Sequence, residues 1–128
     1  MPHVVVEYSA NLDSVVDWPA LCEAVRVAAA ETGVFPLGGI RVRAHRCDHV
    51  AIGDGNPAHG FVDATLKMGR GRDVETRRRA GGHVFEALSR ALDPAFAAAP
   101  VALSLQIVEI DEPNWKRNTV HDALKRSA

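Results

Sequence analysis

Cysteine is scarce in this chain. Cys22 and Cys47 are the only two in 128 residues. Two thiols make no disulfide framework, and a reduced cytoplasmic setting is the expectation. Long hydrophobic runs are also missing. No stretch approaches the roughly 20 apolar residues of a membrane span, and the N-terminus lacks the basic-then-apolar pattern of a secretory signal. Neither sign of charge is in excess: 15 Lys and Arg face 16 Asp and Glu, for a formal net charge of −1. Such a balance gives no electrostatic basis for nucleic acid or an anionic membrane as partner. Motifs of common enzymes are absent too. There is no cysteine cluster with zinc spacing, no nucleophile elbow, no Walker loop and no dinucleotide glycine pattern. The stretch "HRCDH" brings His45, Cys47 and His49 together, with His59 further along. They fix no fourth ligand and read as polar surface, so no metal and no cofactor is expected.

What remains is an ordinary globular composition, 47% apolar with mixed charges, of a length that suits one domain. Residues 3–8, "HVVVEY", read as a strand whose consecutive valines suggest burial on both faces. Asp17 is a candidate N-cap, with Pro19 in the first turn of a helix over about 18–32. Leu21, Val25 and Ala28 form its stripe, and Gly33 is its candidate C′ residue. A strand follows at about 39–46, with Ile40, Val42 and Ala44 alternating against Arg41, Arg43 and His45. After a connector with a turn at "DGNP", the pattern repeats. A strand spans 61–68. A helix capped by Asp73 runs to about 92 with the stripe Ala80, Val84, Leu88 and Leu92. Pro94 and Pro100 punctuate the next stretch, and a fourth strand spans 101–110. The tail has a cap-like Asn118 and room for one short helix.

The expected fold class is therefore α+β, in one domain over 1–128. Two tandem β-α-β units, residues 2–46 and 60–110, build a four-stranded mixed sheet with two helices on one face, followed by a tail over 111–128. The other face would stay open, and apolar residues on both strand faces would call for a partner subunit to cover it.

Three features are candidates for chemistry. Pro2 stands directly before a strand. Proline falls there by chance in about one chain in twenty, but removal of the initiator methionine would leave a secondary amine at the tip of a rigid strand. Position 2 alone does not choose between these. Arg41 lies mid-strand, where burial is costly without an anion; a carboxylate partner, an open face and an anionic ligand all fit. The loop "GRGRD" (69–73) precedes a helix, whose N-terminus favours anions, and Arg70 and Arg72 add charge. A solvated loop fits it equally. Arg77, Arg78 and Arg79 read as the outer face of the second helix.

Four stretches, "PHVVVEYSANL" (2–12), "TGVFPLGGIRVRAH" (32–45), "FVDATLKMGRGRDVETRRRAG" (61–81) and "NWKRNTVHDAL" (114–124), together resemble the 5-carboxymethyl-2-hydroxymuconate isomerases of the tautomerase superfamily. The resemblance implies a tautomerase-like fold of two β-α-β units, assembled as a homotrimer whose sheets line a central barrel. It implies that Pro2, freed of Met1, is the catalytic base. It further implies that Arg41 binds a substrate carboxylate and that Arg72 is a second substrate-binding residue. The implied reaction tautomerises a small di- or tricarboxylate dienol in homoprotocatechuate breakdown, in the cytoplasm and without cofactor or metal. The terminal "KRSA" extends past the family's usual end and reads as a solvated tail. Another enol-acid tautomerase of the superfamily, or a non-catalytic binding module on the same scaffold, are the alternative readings.

Overall fold

In a computed structural model of the chain, residues 2–127 are described, Ser127 by its backbone alone. Met1, whose removal the resemblance requires, and Ala128 at the end of the "KRSA" tail lie outside the described residues.

The first strand, β1 (His3–Ser9), runs through the middle of the sheet. Its alternate residues Val4, Val6 and Tyr8 point into the core and are 0%, 0% and 6% exposed. After a short 3-10 turn, α1 (Trp18–Glu31) begins where the Asp17 carboxylate accepts the Ala20 N–H at 3.0 Å, with Pro19 in the first turn. Both devices satisfy or remove orphan N–H groups at the helix start. The helix stops at Gly33, whose φ of +69° suits a residue without a Cβ. The chain returns as β2 (Arg41–Cys47), parallel to β1. The second unit repeats this scheme with β3 (Gly60–Gly69), α2 (Val74–Ala91) and β4 (Val101–Ile110). Asp73 caps α2 by accepting the Thr76 N–H at 2.8 Å.

The sheet order is β2-β1-β3-β4, with β1 antiparallel to β3 at the centre and parallel pairs on either side. Each parallel pair follows from a helical crossover. Both helices lie on one face. Their stripes, Leu21, Val25 and Ala28 from α1 and Ala80, Val84, Leu88 and Leu92 from α2 and its end, are 0–3% exposed. They meet Val62, Ala64, Leu66 and Met68 of β3, all at 0%. Full burial of one such aliphatic side chain stabilises by about 1.5–3 kcal/mol. Tyr8 stacks on Trp18 at 3.6 Å between ring centroids, and its hydroxyl donates to Asp13 Oδ1 at 2.6 Å.

Three features differ from the expectations, and a fourth, the tail, bears its expectation out. The stretch between Pro94 and Pro100 is not mere punctuation. It contains α3 (Asp93–Ala98), because Pro94 falls in the first turn, where a missing N–H costs nothing. The tail does form a helix, α4 (Val120–Ser127). Asn118 accepts the Val120 N–H at 2.8 Å and donates to the Gly38 carbonyl at 2.8 Å, so the cap also ties the tail to the loop before β2. The three arginines of α2 do not share one outer face. Arg78 is exposed beside Glu75. Arg79 donates to the Thr32 carbonyl at 3.1 Å, and Arg77 is half-buried 3.7 Å from Glu109. Three successive helical positions span about 200° of arc, so a run of three cannot stay on one side. Finally, the open face of the sheet is largely polar. Val5, Phe61 and Val108 sit there, but among His3, Glu7, Arg41, Arg43, Asp63, Thr65, Lys67, Ser104 and Gln106. The run of three valines in β1 hides the alternation that its neighbours obey.

Candidate functional site

The topology brings four strand ends to one edge of the sheet. β1 and β2 begin there, and β3 and β4 end there. His3 is paired with Arg41 on one side and Lys67 on the other, while Lys67 faces Val108 and Gly69 faces Ile110. Pro2 stands immediately before β1. It is fully buried, and its carbonyl accepts the Arg41 N–H at 3.2 Å. Side chains alternate across a strand. Pro2 therefore belongs to the helix side with Val4, and His3 to the open side with Arg41.

On the open side the imidazole of His3 lies between two guanidinium groups. Arg41 Nη1 is 2.9 Å from His3 Nε2, and Arg43 Nη1 is 3.2 Å from His3 Nδ1. The His3 pKa is held below its ordinary value of 6.5. Burial is the main cause, followed by the charges of Arg41, Arg43, the amino terminus and Lys67. All of these disfavour the imidazolium.

On the helix side Arg72 closes the same edge. It donates to the Gly69 carbonyl at 3.1 Å and to the Val34 carbonyl at 3.1 Å, and its guanidinium lies 5.2 Å from the Phe35 ring centroid. The first glycine of "GRGRD" thus ends β3, Gly71 takes a φ of +111°, and Arg72 folds back to pin the loop. Arg70 is ion-paired with Asp111. A cavity of about 320 Å³ opens at this edge, lined by His3, Arg70, Ile110, Glu112, Trp115 and Lys116 among others. That is the size of a small-molecule site.

Pro2 and Arg41 are thus neighbours through a backbone hydrogen bond, with Arg72 at the same edge on the helix side, where Pro2 also lies, opposite the Arg41 side chain. His3, Lys67, Trp115 and Lys116 are also at this edge, and the sequence reading passed over them. Alternation along "HVVVEY" could have put His3 on a face of its own, but only the β1–β2 register puts that face against Arg41. Trp115 and Lys116 arrive through the tail, which carries no periodicity.

The edge is rich in cations. It can take an anion with more than one carboxylate, and a neutral amine at Pro2 could pass a proton. The thiols are remote in character from this chemistry. Burial pushes Cys22 up, and burial together with Glu7 pushes Cys47 up, so neither is an activated thiolate. His45, Cys47, His49 and His59 do not converge. Cys47 lies 3.7 Å from Glu7, and His59 bonds to Asp54 at 2.8 Å. No group of three or more metal-ligating side chains forms among the described residues. No helix there is long and apolar enough to cross a membrane.

Comparison with known proteins gives the family and the fold. The family model for 5-carboxymethyl-2-hydroxymuconate isomerase matches residues 2–124. A 5-carboxymethyl-2-hydroxymuconate Delta-isomerase of Escherichia coli is 39% identical over 126 residues, covering 98% of this chain and all of the relative. A crystal structure of a 5-carboxymethyl-2-hydroxymuconate delta-isomerase superposes with a TM-score of 0.91 at 34% identity, over 97% of this chain and 93% of the other. One from Deinococcus radiodurans R1 gives 0.88 at 33%, over 96% and 93%. At the level of fold alone, a fused 4-OT chain described as a symmetric trimer gives 0.56 at 19% identity, over 89% and 94%.

Proposed function

Since the chain belongs to the 5-carboxymethyl-2-hydroxymuconate isomerase family, we propose that it converts 5-carboxymethyl-2-hydroxymuconate to its 2-oxo isomer with Pro2 as the proton carrier. The observation that supports this most is the joining of Pro2 to Arg41 at the head of the sheet, at the cationic edge where a cavity lined by His3, Arg70 and Lys116 among others opens. In this reading the chain starts at Pro2, and the proline nitrogen is a secondary amine. It takes the proton of the 2-hydroxyl group as the dienolate forms. It then returns a proton to a carbon of the conjugated chain, which completes the tautomerisation with no net change in protons.

An α-amino group ordinarily titrates near 8, and a secondary amine is more basic. Burial and neighbouring guanidinium charge both lower that value, so a neutral amine is accessible near pH 7. Arg41 holds a carboxylate by charge-assisted hydrogen bonds, and the cationic edge stabilises the dienolate as its charge develops. Arg72 has committed two of its five N–H donors to carbonyls. The others remain for a second substrate contact from the helix side.

We also propose a homotrimer in the cytoplasm, formed from this single domain over 1–128 and its two repeated units. The two outer strands β2 and β4 offer unpaired edges, and Trp115 of the tail is 87% exposed. A partner subunit at these edges would cover both. The two thiols suit a reducing compartment. The test is a steady-state assay of dienol-acid absorbance on a sample of known intact mass and known light-scattering mass. Processed trimeric protein should tautomerise the dienol. Processed protein that leaves it at the uncatalysed rate overturns the reading.

A further inference from the structure

The His3 cluster contains a hydrogen-bonding conflict. A neutral imidazole carries one N–H and one acceptor lone pair, and a guanidinium offers only donors. Yet both ring nitrogens of His3 lie against guanidinium nitrogens, at 2.9 and 3.2 Å. His3 can accept from one of them. At the other nitrogen two N–H groups face each other. Protonation would not help, since imidazolium accepts nothing. Lys67 stands across the strand from His3 on the same face and adds three more donors. No carboxylate pairs with Arg43 or Lys67 among the described residues. Glu7 and Asp63, the acids of the open-face strands, lie at the far end. Asp63 there accepts from Ser104 at 2.7 Å. At the near end Asp111 is paired with Arg70, and Glu112 lines the same cavity as His3 without an ion pair to Arg43 or Lys67. His3, Arg43 and Lys67 are thus short of an acceptor among the described residues and long in positive charge.

We propose that His3, Arg43 and Lys67 form a second carboxylate subsite on the open face of the sheet, next to the one at Arg41. A carboxylate oxygen there accepts from Arg43 and Lys67 and from the N–H of His3, leaving the other His3 nitrogen to accept from Arg41. One anion thus removes the conflict at every group. Its chemical class is the distal carboxylate of a di- or tricarboxylic acid whose first carboxylate is on Arg41. This rests on the isomerase reading for the identity of the substrate, but not for the binding itself.

The test uses propane-1,2,3-tricarboxylate, which has no enol and cannot react. Its affinity is measured by titration calorimetry for the intact protein and for the Arg43→Gln and Lys67→Gln variants. The His3 imidazole is followed by NMR in the same samples. Each variant should weaken binding about tenfold or more, as for a lost hydrogen bond between charged groups. In the unsubstituted protein the tricarboxylate should move the His3 titration midpoint upward, because an anion favours imidazolium. Unchanged affinity in both variants overturns the subsite, as does a His3 midpoint that stays fixed while the ligand binds. Variants that alter the light-scattering mass but not the affinity assign the cluster to subunit contact and overturn it too. Protein that binds with the expected pattern yet leaves a dienol acid unreacted sinks the isomerase reading and leaves the subsite standing.

Discussion

The two faces of this sheet are made from the same strands and obey opposite rules. On the helix side, β3 contributes Val62, Ala64, Leu66 and Met68, all fully buried. On the open side the same strand contributes Phe61, Asp63, Thr65 and Lys67. The open side is also sorted along its length, with Glu7 and Asp63 at one end and His3, Arg41, Arg43 and Lys67 at the other. Burial selects residues by volume and apolarity. An open surface leaves charge free to be placed for a ligand. Pro2 is the residue where these regimes meet, because it is buried like Val4 but stands at the cationic edge.

Blocking that meeting point should have the largest effect. Protein that retains Met1 has an amide nitrogen at Pro2, which accepts no proton. It should fold and abolish the tautomerase activity, whereas processed protein should be active. Intact mass spectrometry and a steady-state assay on one sample decide this. Full activity in protein carrying Met1 would remove Pro2 from the mechanism. Pro2→Ala, a primary and more mobile amine, should keep part of the activity.

The faces themselves are contrasted next. Leu66→Ala opens a cavity among α1, α2 and the sheet and should cost about 2–5 kcal/mol. Thr65→Ala, one residue away on the open face, should stay within about 0.5 kcal/mol in the isolated chain. Denaturant titration measures both. Equal losses would mean that the open face is as tightly filled as the core.

Arg41→Ala comes third. Loss of a charged hydrogen bond is worth about 1.5–3 kcal/mol, or roughly tenfold and upward in kcat/KM. Arg78→Ala, on the exposed side of α2 beside Glu75, should leave kcat/KM unchanged. Similar small effects from both would separate Arg41 from the site.

The helix side was the more legible of the two in the sequence, for a physical reason. A buried stripe imprints a period on the chain, so Leu21, Val25 and Ala28 announce α1, and Ala80, Val84 and Leu88 announce α2. Caps are local as well, and Asp17, Asp73 and Asn118 each serve the helix start expected of them. The candidate site depends on register and on long-range hydrogen bonds instead. Nothing in "HVVVEY" or "GIRVRAH" says that the His3 imidazole lies between Arg41 and Arg43. Arg72 reads as a loop charge until Val34, 38 positions away, supplies a carbonyl. Arg79 reads as solvated until Thr32 does the same. Family resemblance pointed to Pro2, Arg41 and Arg72 and passed over His3, whose significance comes only from its neighbours.

The smallest effects concern titration, where the two faces should differ in direction. Tyr8 sits on the buried side. Burial first, and then its hydrogen bond to Asp13, push its pKa up to about 12 from an ordinary 10. Its folded value exceeds its unfolded one, so its contribution to stability is full below about pH 10. It is lost as pH rises through about 12. His3 sits on the open side with its pKa held below 6.5, by burial first and then by Arg41 and Arg43. Here the folded value is depressed, so the contribution is present above about pH 6.5 and is lost as pH falls through the folded value. His3→Gln should therefore flatten the stability profile on the acid side alone, and Tyr8→Phe on the alkaline side alone. Salt should separate the causes further. Added salt screens the guanidinium charges and should raise the His3 midpoint part of the way toward 6.5, while leaving the burial component in place. The Tyr8 midpoint, set mainly by burial and a short hydrogen bond, should move less. Thermal unfolding across pH at low and high salt, with the His3 midpoint read by NMR, measures all of this. A His3 midpoint at or above 6.5 at low salt would show that the open edge already holds a compensating anion or acid, and would erase the electrostatic contrast between the faces.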